Sequence, residues 1–179
     1  MIRKVFTVVK KLIKEPSLAV KYSKDSIHVP LLMWFLAGVF VLMPTAFAIP
    51  IDYIKNYLLI IPDVVILGLI VTGGFWVYTW AVLVVGAKIT GYKEKPKEMF
   101  KIVGYCFAPM FSIALVTTIL SMILLALGFQ LLNFGLMMAS VIIEFVGFMY
   151  VLAHSIKKVY GDETLFVMYF ALTLILMLF

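Results

Sequence analysis

The side chain whose type and position could do chemistry is Glu144, an acid in the middle of a long apolar run. An acidic group at the centre of a membrane helix costs about 2.5–3.5 kcal/mol on insertion scales, so it must face protein or water. At 100° per residue, three polar residues project within about 40° of it on one helical face: Asn133, Ser140 and Ser155. This polar stripe fits a proton or cation relay or a ligand site. It also fits a neutral carboxylic acid that hydrogen-bonds to Ser, Thr or Tyr on a neighbouring helix.

Three hydroxyl side chains in the preceding apolar run are candidate partners for this stripe: Thr117, Thr118 and Ser121. The two runs are joined only by Gly128 to about Leu131, which predicts a tight antiparallel hairpin with the two helices as neighbours. Hydroxyls in membrane helices also bond back to their own i−4 carbonyls. The hydroxyls alone therefore do not indicate a pore.

The elements that must position these residues are membrane helices. Of the 179 residues, 65% are hydrophobic and 13% are charged, against about 45–50% and 25% in soluble domains. Both departures indicate one polytopic membrane domain. The apolar runs are continuous, without the alternation that barrel strands show, so the predicted fold class is all-α.

Five apolar runs are candidates for helices that cross about 30 Å of hydrocarbon, which takes about 20 residues each. We place them at 30–49, 62–86, 105–128, about 132–154 and 164–179. Pro44 and Pro50 are expected to bend and end the first run. The fifth run, with 16 residues, is the shortest.

Residues 1–29 form a separate basic segment that holds seven of the fifteen Lys and Arg residues. Apolar residues recur in it at helical spacing, with the lysines mostly on the other side: Ile2, Val5, Phe6, Val9, Leu12 and Ile13. The pattern predicts an amphipathic helix in the headgroup plane, where each Lys or Arg contributes about 1 kcal/mol of binding to an anionic leaflet. The alternative is a solvated basic arm that serves only as a topology signal.

The basic residues also predict the orientation. With five spans and the N-terminus inside, fourteen of the fifteen lie on the inner side and only Lys55 lies outside. The positive-inside rule then predicts a cytoplasmic N-terminus and an external C-terminus, in the cell membrane if the source is prokaryotic. This placement accounts for the net charge of +6, so we expect no nucleic-acid partner.

The stretch between the second and third runs carries a family pattern. A Thr-Gly turn precedes a short charged helix at 96–101, followed by a Val-Gly-Tyr and an Ala-Pro sequence in the third run. Together with the Val-Pro-Leu-Leu sequence at 29–32 that opens the first run, this pattern resembles the Yip1 domain family, five-span membrane proteins with a cytosolic N-terminus. The resemblance covers most of the chain. Its motif residues here are Gly91, Gly104, Tyr105 and Pro109.

The resemblance implies a role in membrane organisation. Eukaryotic members act in vesicle trafficking and associate with Rab-type GTPases through a longer cytosolic region, whereas the segment here, about 29 residues, resembles the minimal prokaryotic form. The implied function is a membrane adaptor or organiser whose basic inner surface contacts anionic lipid and a protein partner. That surface comprises the N-terminal helix together with Lys88, Lys93, Lys95, Lys97, Lys101, Lys157 and Lys158.

A second hypothesis is a small transporter or channel, or a subunit of one, that works through Glu144 and its polar stripe. An enzyme is not expected, because no catalytic or paired-carboxylate constellation is present. His28, His154 and the single Cys106 do not make a metal site, so we expect neither a metal nor a cofactor. Assembly of the chain into a homo-oligomer is left open.

Overall fold

The chain folds into a bundle of α-helices. The computed structural model describes residues 2–24, 26–47, 57–93 and 95–178, and the regular elements in these ranges are all helical. Four helical stretches are long and apolar enough to cross a membrane: His28–Phe47, Ile60–Ile89, Pro96–Ala126 and Gln130–Tyr160. The all-α prediction is confirmed, and these four stretches are compatible with an integral membrane protein. The helices are α1 (Ile2–Lys14), α2 (Leu18–Tyr22), α3 (His28–Val41), α4 (Met43–Phe47), α5 (Tyr57–Ile89), α6 (Pro96–Ala126), α7 (Gln130–Tyr160) and α8 (Thr164–Leu178).

The first predicted run is divided into two helices. α3 ends at Val41 and α4 begins at Met43, with Pro44 in the first turn of α4, where the missing proline N–H leaves no hydrogen bond unmade. The break turns α4 towards α6 and α7, which it contacts. Residues 48–56, which include Pro50 and Lys55, lie outside the described residues.

Helix α5 is longer than the predicted run 62–86. It begins at Tyr57 and contains Pro62 in its interior, which membrane helices tolerate when neighbouring groups satisfy the carbonyl that proline leaves unpaired. At its other end Gly91 has φ +76°, and the N–H of Tyr92 bonds to the carbonyl of Ala87 at 2.9 Å. This Schellman cap needs a residue that adopts a left-handed conformation, which explains glycine in the predicted turn.

Helices α6 and α7 form the expected antiparallel hairpin. The charged segment 96–101 is the beginning of α6 rather than a separate helix, and α6 continues through Pro109 to Ala126. Residues 127–129 connect it to α7, with Gly128 at φ +77°. Among the described elements, α6 and α7 have the most extensive contact.

The first half of α6 is the centre of the bundle. All residues from 102 to 111 are buried, and a helix that is buried on every side must be surrounded by other elements. Helices α3, α5 and α7 surround it together with α1, α2 and α4. The indole of Trp76 stacks on Phe100 with ring centroids 4.6 Å apart and donates a hydrogen bond to the Phe100 carbonyl at 2.8 Å. This pair fixes the position of α5 along the axis of α6.

Helix α1 packs its apolar stripe against the bundle. Three residues of the predicted stripe, Val5, Val9 and Leu12, are buried, whereas Phe6 and Ile13 are about half exposed. Lys10, Lys11 and Lys14 are exposed. The ring of Phe6 lies 5.8 Å from that of Phe111, so α1 leans along α6 and protein covers much of its apolar face. The buried apolar residues of α1 are Val5, Val8, Val9 and Leu12.

Helix α8 lies beside one end of α5. The hydroxyls of Tyr169 and Thr79 are 3.0 Å apart, and a Cβ on Gly86 would meet Leu165 at 2.7 Å. The two contacts set an antiparallel register in which α8 starts near the end of α5. Its 15 residues extend about 22 Å, along the half of α5 that leads to Lys88.

Candidate functional site

Seven lysines gather at one end of the bundle, which we call the lysine end. It is formed by the last turn of α5, the first turns of α6 and the last turn of α7, which antiparallel packing brings together. Five of the side chains are exposed, and those of Lys95 and Lys101 are partly buried. The structure therefore unites the lysines that were predicted for one surface. They are Lys88, Lys93, Lys95, Lys97, Lys101, Lys157 and Lys158.

Tyr92 joins the two loops of the lysine end. Its hydroxyl donates to the carboxylate of Asp162, and its ring lies 5.0 Å from that of Tyr160. The hydrogen bond lowers the pKa of Asp162 and raises the pKa of Tyr92, because it stabilises the ionised carboxylate and the protonated phenol. The sequence did not predict this contact, since 70 residues separate its partners.

Two ion pairs neutralise part of the lysine end. Lys157 lies 2.8 Å from Glu163, and Lys95 lies 3.9 Å from Glu98. Both pairs are well exposed, and such pairs contribute about 0–1 kcal/mol. No ion pair within the described ranges involves Lys88, Lys93 or Lys97, so the surface keeps a positive field.

A pocket of about 460 Å³ opens beside Lys97. Its apolar walls are Ile27, Trp80, Pro96 and Phe100, and Lys97 and Lys101 also line it. The indole of Trp80 donates to the Pro96 carbonyl at 3.0 Å, which fixes the wall that the indole forms. The sequence did not predict a pocket at Trp80. Its place beside Lys97 follows from the packing of α5 on α6.

Gly104 and Tyr105, two of the motif residues, have packing roles in α6. A Cβ on Gly104 would lie 2.6 Å from the Cβ of Pro30 and 2.7 Å from the Cζ2 of Trp76, so glycine allows α3 and α5 to approach α6 closely. The buried Tyr105 hydroxyl donates to the carbonyl of Tyr22 at 3.3 Å, which holds α2 on the bundle.

Pro109, a third motif residue, packs against α7. A Cβ on Gly147 would lie 3.0 Å from the Pro109 Cβ, so the absence of a side chain at 147 makes room for the proline ring. Proline removes one helical hydrogen bond and favours a bend. The close fit places the Pro109 ring directly against α7.

The predicted polar stripe is buried inside the bundle. Only 1% of the Glu144 surface is exposed. Gly147 faces Pro109 and Ile113, so in the antiparallel register Glu144 comes level with about residues 112–116 of α6. Long helical side chains point towards the N-terminus of their own helix, which brings the carboxyl towards the level of the α6 hydroxyls. The other buried polar residues of this interface are Asn133, Ser140, Ser155, Thr117, Thr118 and Ser121.

Four hydroxyl groups of this interface bond to carbonyls within their own helices. Thr118 donates to the Ala114 carbonyl at 2.7 Å, and Ser140 donates to the Met137 carbonyl at 2.8 Å. Thr117 and Ser155 make equivalent bonds in α6 and α7. This back-bonding is the behaviour expected of isolated hydroxyls in apolar helices.

Glu144 has no hydrogen-bond partner on either carboxyl oxygen among the described residues, and the Ser121 hydroxyl has none either. The hydrogen bond to a hydroxyl on a neighbouring helix, one of the two interpretations of the stripe, is not formed within these ranges. Leaving a buried polar group unsatisfied costs about 1–3 kcal/mol, and more if the group is charged. The site can therefore hold a proton, and it offers an oxygen ligand to a small cation.

Asn133 is set apart from Glu144 by about three helical turns. Its Nδ2 donates to the Phe47 carbonyl at 2.7 Å. This bond ties the end of α4 to the start of α7, so Asn133 serves the packing of α4 on α7.

Within the described residues, no three His, Cys, Asp or Glu side chains come together. Cys106 is a buried thiol without a disulfide. Comparison with protein-family models, with curated proteins and with solved structures finds no match.

Proposed function

We propose that the protein is an integral membrane adaptor or organiser of the Yip1 type, with five spans and a cytoplasmic N-terminus. The observation that carries the proposal is the apolar pocket of about 460 Å³ beside Lys97, within a lysine-rich surface. The positive-inside rule places that surface in the cytosol. Helix α8 is then the fifth span, leading outwards to an external C-terminus.

The lysine end suits two kinds of partner in this orientation. Lysines close to an anionic leaflet contribute about 1 kcal/mol of binding each. The pocket accepts an aromatic or aliphatic side chain, the kind of residue that anchors protein interfaces. A protein partner that carries such an anchor within an acidic segment complements both the pocket and the surrounding charge.

Co-purification tests the adaptor function. The protein is extracted from native membranes in mild detergent, and bound proteins are identified by mass spectrometry. We expect a stoichiometric partner with the wild type, loss of that partner when Lys93, Lys95 and Lys97 are changed to Glu, and retention with Glu144→Gln.

The matched control reverses Lys10, Lys11 and Lys14, which are exposed on α1. It changes the net charge by the same amount away from the pocket, so we expect the partner to be retained. The proposal is overturned if the wild type purifies alone as a homo-oligomer, or if both triple variants release the partner equally.

A second candidate function is proton or cation transport, which the carboxyl of Glu144 favours because it has no hydrogen-bond partner among the described residues. Ionisable residues inside membrane segments commonly mark ion pathways. Only 1% of the Glu144 surface is exposed, which leaves no room for a helix of another subunit to contact the carboxyl. Flux of protons or sodium into liposomes tests this function. Flux that is present with the wild type and lost with Glu144→Gln supports transport, whereas equal leakage from both sets of liposomes rejects it.

A further inference from the structure

A cleft beside the lysine end brings the N-terminal segment and the last turn of α7 together. Its volume is about 420 Å³, and three lysines line it: Lys21, Lys24 and Lys158. The remaining walls include the apolar side chains of Leu18 and Val20. The sequence alone assigned these lysines to a diffuse basic face, because the contact between α2 and α7 could not be predicted.

The cleft has an excess of positive charge. Glu15 is the one acid among the residues that line it, against three lysines. In the described part of the chain, no ion pair joins Glu15 to Lys21, Lys24 or Lys158. Ammonium groups that share a cleft repel one another. An anion placed between them is attracted to each of them, and this attraction offsets the repulsion.

The apolar walls narrow the choice of anion. Leu18 and Val20 are only partly buried, so they present hydrocarbon next to the ammonium groups. A free phosphate would leave that hydrocarbon in contact with water, whereas an amphiphile covers it. The lining therefore suits a molecule with a phosphate at one end and methylene groups beside it.

The position of the cleft agrees with a lipid at the membrane surface. The carbonyl of Tyr22 at the end of α2 accepts a hydrogen bond from Tyr105, which holds α2 on the bundle. In α7, Ser155 and Ile156 are fully buried. Lys158 follows them at the end of α7. In the proposed orientation this end of α7 lies at the headgroup level of the inner leaflet.

We infer that the cleft binds the headgroup of an anionic phospholipid. The phosphate lies between Lys21, Lys24 and Lys158, and the glycerol and first methylenes contact Leu18 and Val20. The inference rests on the proposed function, since it uses the same orientation and names one ligand of the basic surface. A lipid bound there connects α2 to α7 and so stabilises the N-terminal helices on the bundle.

Native mass spectrometry of the full chain tests this site. The protein is purified in detergent with equal amounts of phosphatidylglycerol and phosphatidylcholine, and the lipids that remain bound are counted. We expect the wild type to retain one phosphatidylglycerol in preference to phosphatidylcholine. Changing Lys21, Lys24 and Lys158 to Gln should reduce its retention about tenfold or more.

Three further measurements make the test specific. Changing Lys10, Lys11 and Lys14 to Gln removes the same charge from α1, which faces no lipid leaflet in detergent, and should alter retention by less than about twofold. Lys158→Arg keeps the charge and should retain the lipid. This conservative variant tests the site even if the triple variant fails to fold. Glycerol 1-phosphate, which has the phosphate but no acyl chains, should compete poorly at concentrations matched to the lipid.

The inference is overturned if phosphatidylglycerol and phosphatidylcholine are retained equally, or if the two triple variants behave alike. Strong competition by glycerol 1-phosphate also overturns it, because the site would then bind free phosphate. These outcomes are separate from failure of the adaptor function, which is measured by loss of a protein partner on change of Lys93, Lys95 and Lys97.

Discussion

Glu144 is buried in the α6–α7 hairpin with no hydrogen-bond partner among the described residues. Because no partner there would be lost on substitution, an apolar residue of similar size should be tolerated or stabilising. We expect Glu144→Leu to leave the free energy of unfolding in detergent unchanged or higher. The measurement is reversible unfolding followed by circular dichroism.

A loss of more than about 2 kcal/mol in Glu144→Leu would contradict this expectation. It would show that the carboxyl makes a favourable interaction with an ion, with water or with residues outside the described ranges. Glu144→Gln is the companion variant, because it keeps the shape of the side chain and removes its ability to ionise.

Gly104 gives a second prediction at the residue scale. Gly104→Ala would place a Cβ 2.6 Å from the Cβ of the rigid Pro30 ring, so the helices must move apart. We expect a loss of about 1–3 kcal/mol in the free energy of unfolding. Thermal unfolding in detergent measures it.

Gly74 provides the matched control for Gly104, since a Cβ there would meet nothing within 4 Å. Gly74→Ala should be neutral or stabilising, because alanine favours a helix over glycine by about 1 kcal/mol. Equal melting temperatures for Gly104→Ala and Gly74→Ala would be inconsistent with the close contact of α3, α5 and α6.

The position of Glu144 could be predicted from the sequence, because an acid in an apolar run must be turned inwards. The hydrogen bonds of the neighbouring hydroxyls could not. The hydroxyls of Thr117 and Ser140 can donate either to a carbonyl one turn earlier in the same helix or to a group on a neighbouring helix. Which bond forms depends on the distances between the helices.

At the scale of elements, the loop contact between Tyr92 and Asp162 predicts a pH dependence. The folded pKa of Asp162 is lowered from its ordinary value of 3.8, so the contact stabilises the loops above that pH. This contribution is lost as the pH falls through the lower, folded pKa. Hydrogen exchange of loop amides in 90–93 and 161–163 should therefore be constant from pH 7 to about pH 4, after correction for intrinsic rates, and faster below.

Two variants check the same contact at neutral pH. Asp162→Asn removes the charged acceptor and Tyr92→Phe removes the donor, so each should increase loop exchange and remove its dependence on acid pH. If loop protection in either variant equals that of the wild type, the contact does not hold the two loops together.

The elements were predictable to the extent that apolar runs are continuous. Length and hydropathy located α5, α6 and α7, but these helices continue beyond the predicted apolar runs. The charged segment 96–101 continues into α6, and Pro62 lies inside α5 instead of at its start. Proline and lysine are weak stop signals when neighbouring helices or a polar surface accommodate them.

At the scale of the whole molecule, the sequence predicted the membrane class and the hairpin but not the order of packing. That α6 lies at the centre follows from ten consecutive buried residues at 102–111, a pattern that a continuously apolar sequence does not reveal. The pocket beside Lys97 and the cleft beside Lys158 depend on this arrangement. Both combine side chains from elements distant in sequence.

The adaptor proposal and the lipid cleft share one claim, which is that the lysine end faces the cytosol. Cys106 is the single cysteine and is fully buried, so a Cys106→Ala background permits labelling of introduced cysteines from one side. Lys93→Cys marks the lysine end, and Gln130→Cys marks the first residue of α7 at the opposite end. Both positions are exposed.

The measurement is labelling of intact cells with a membrane-impermeant maleimide, before and after permeabilisation. We predict that Gln130→Cys reacts in intact cells and that Lys93→Cys reacts only after permeabilisation. The reverse pattern would contradict the orientation, and with it the assignment of the lysine end as the cytosolic surface that binds lipid and a protein partner.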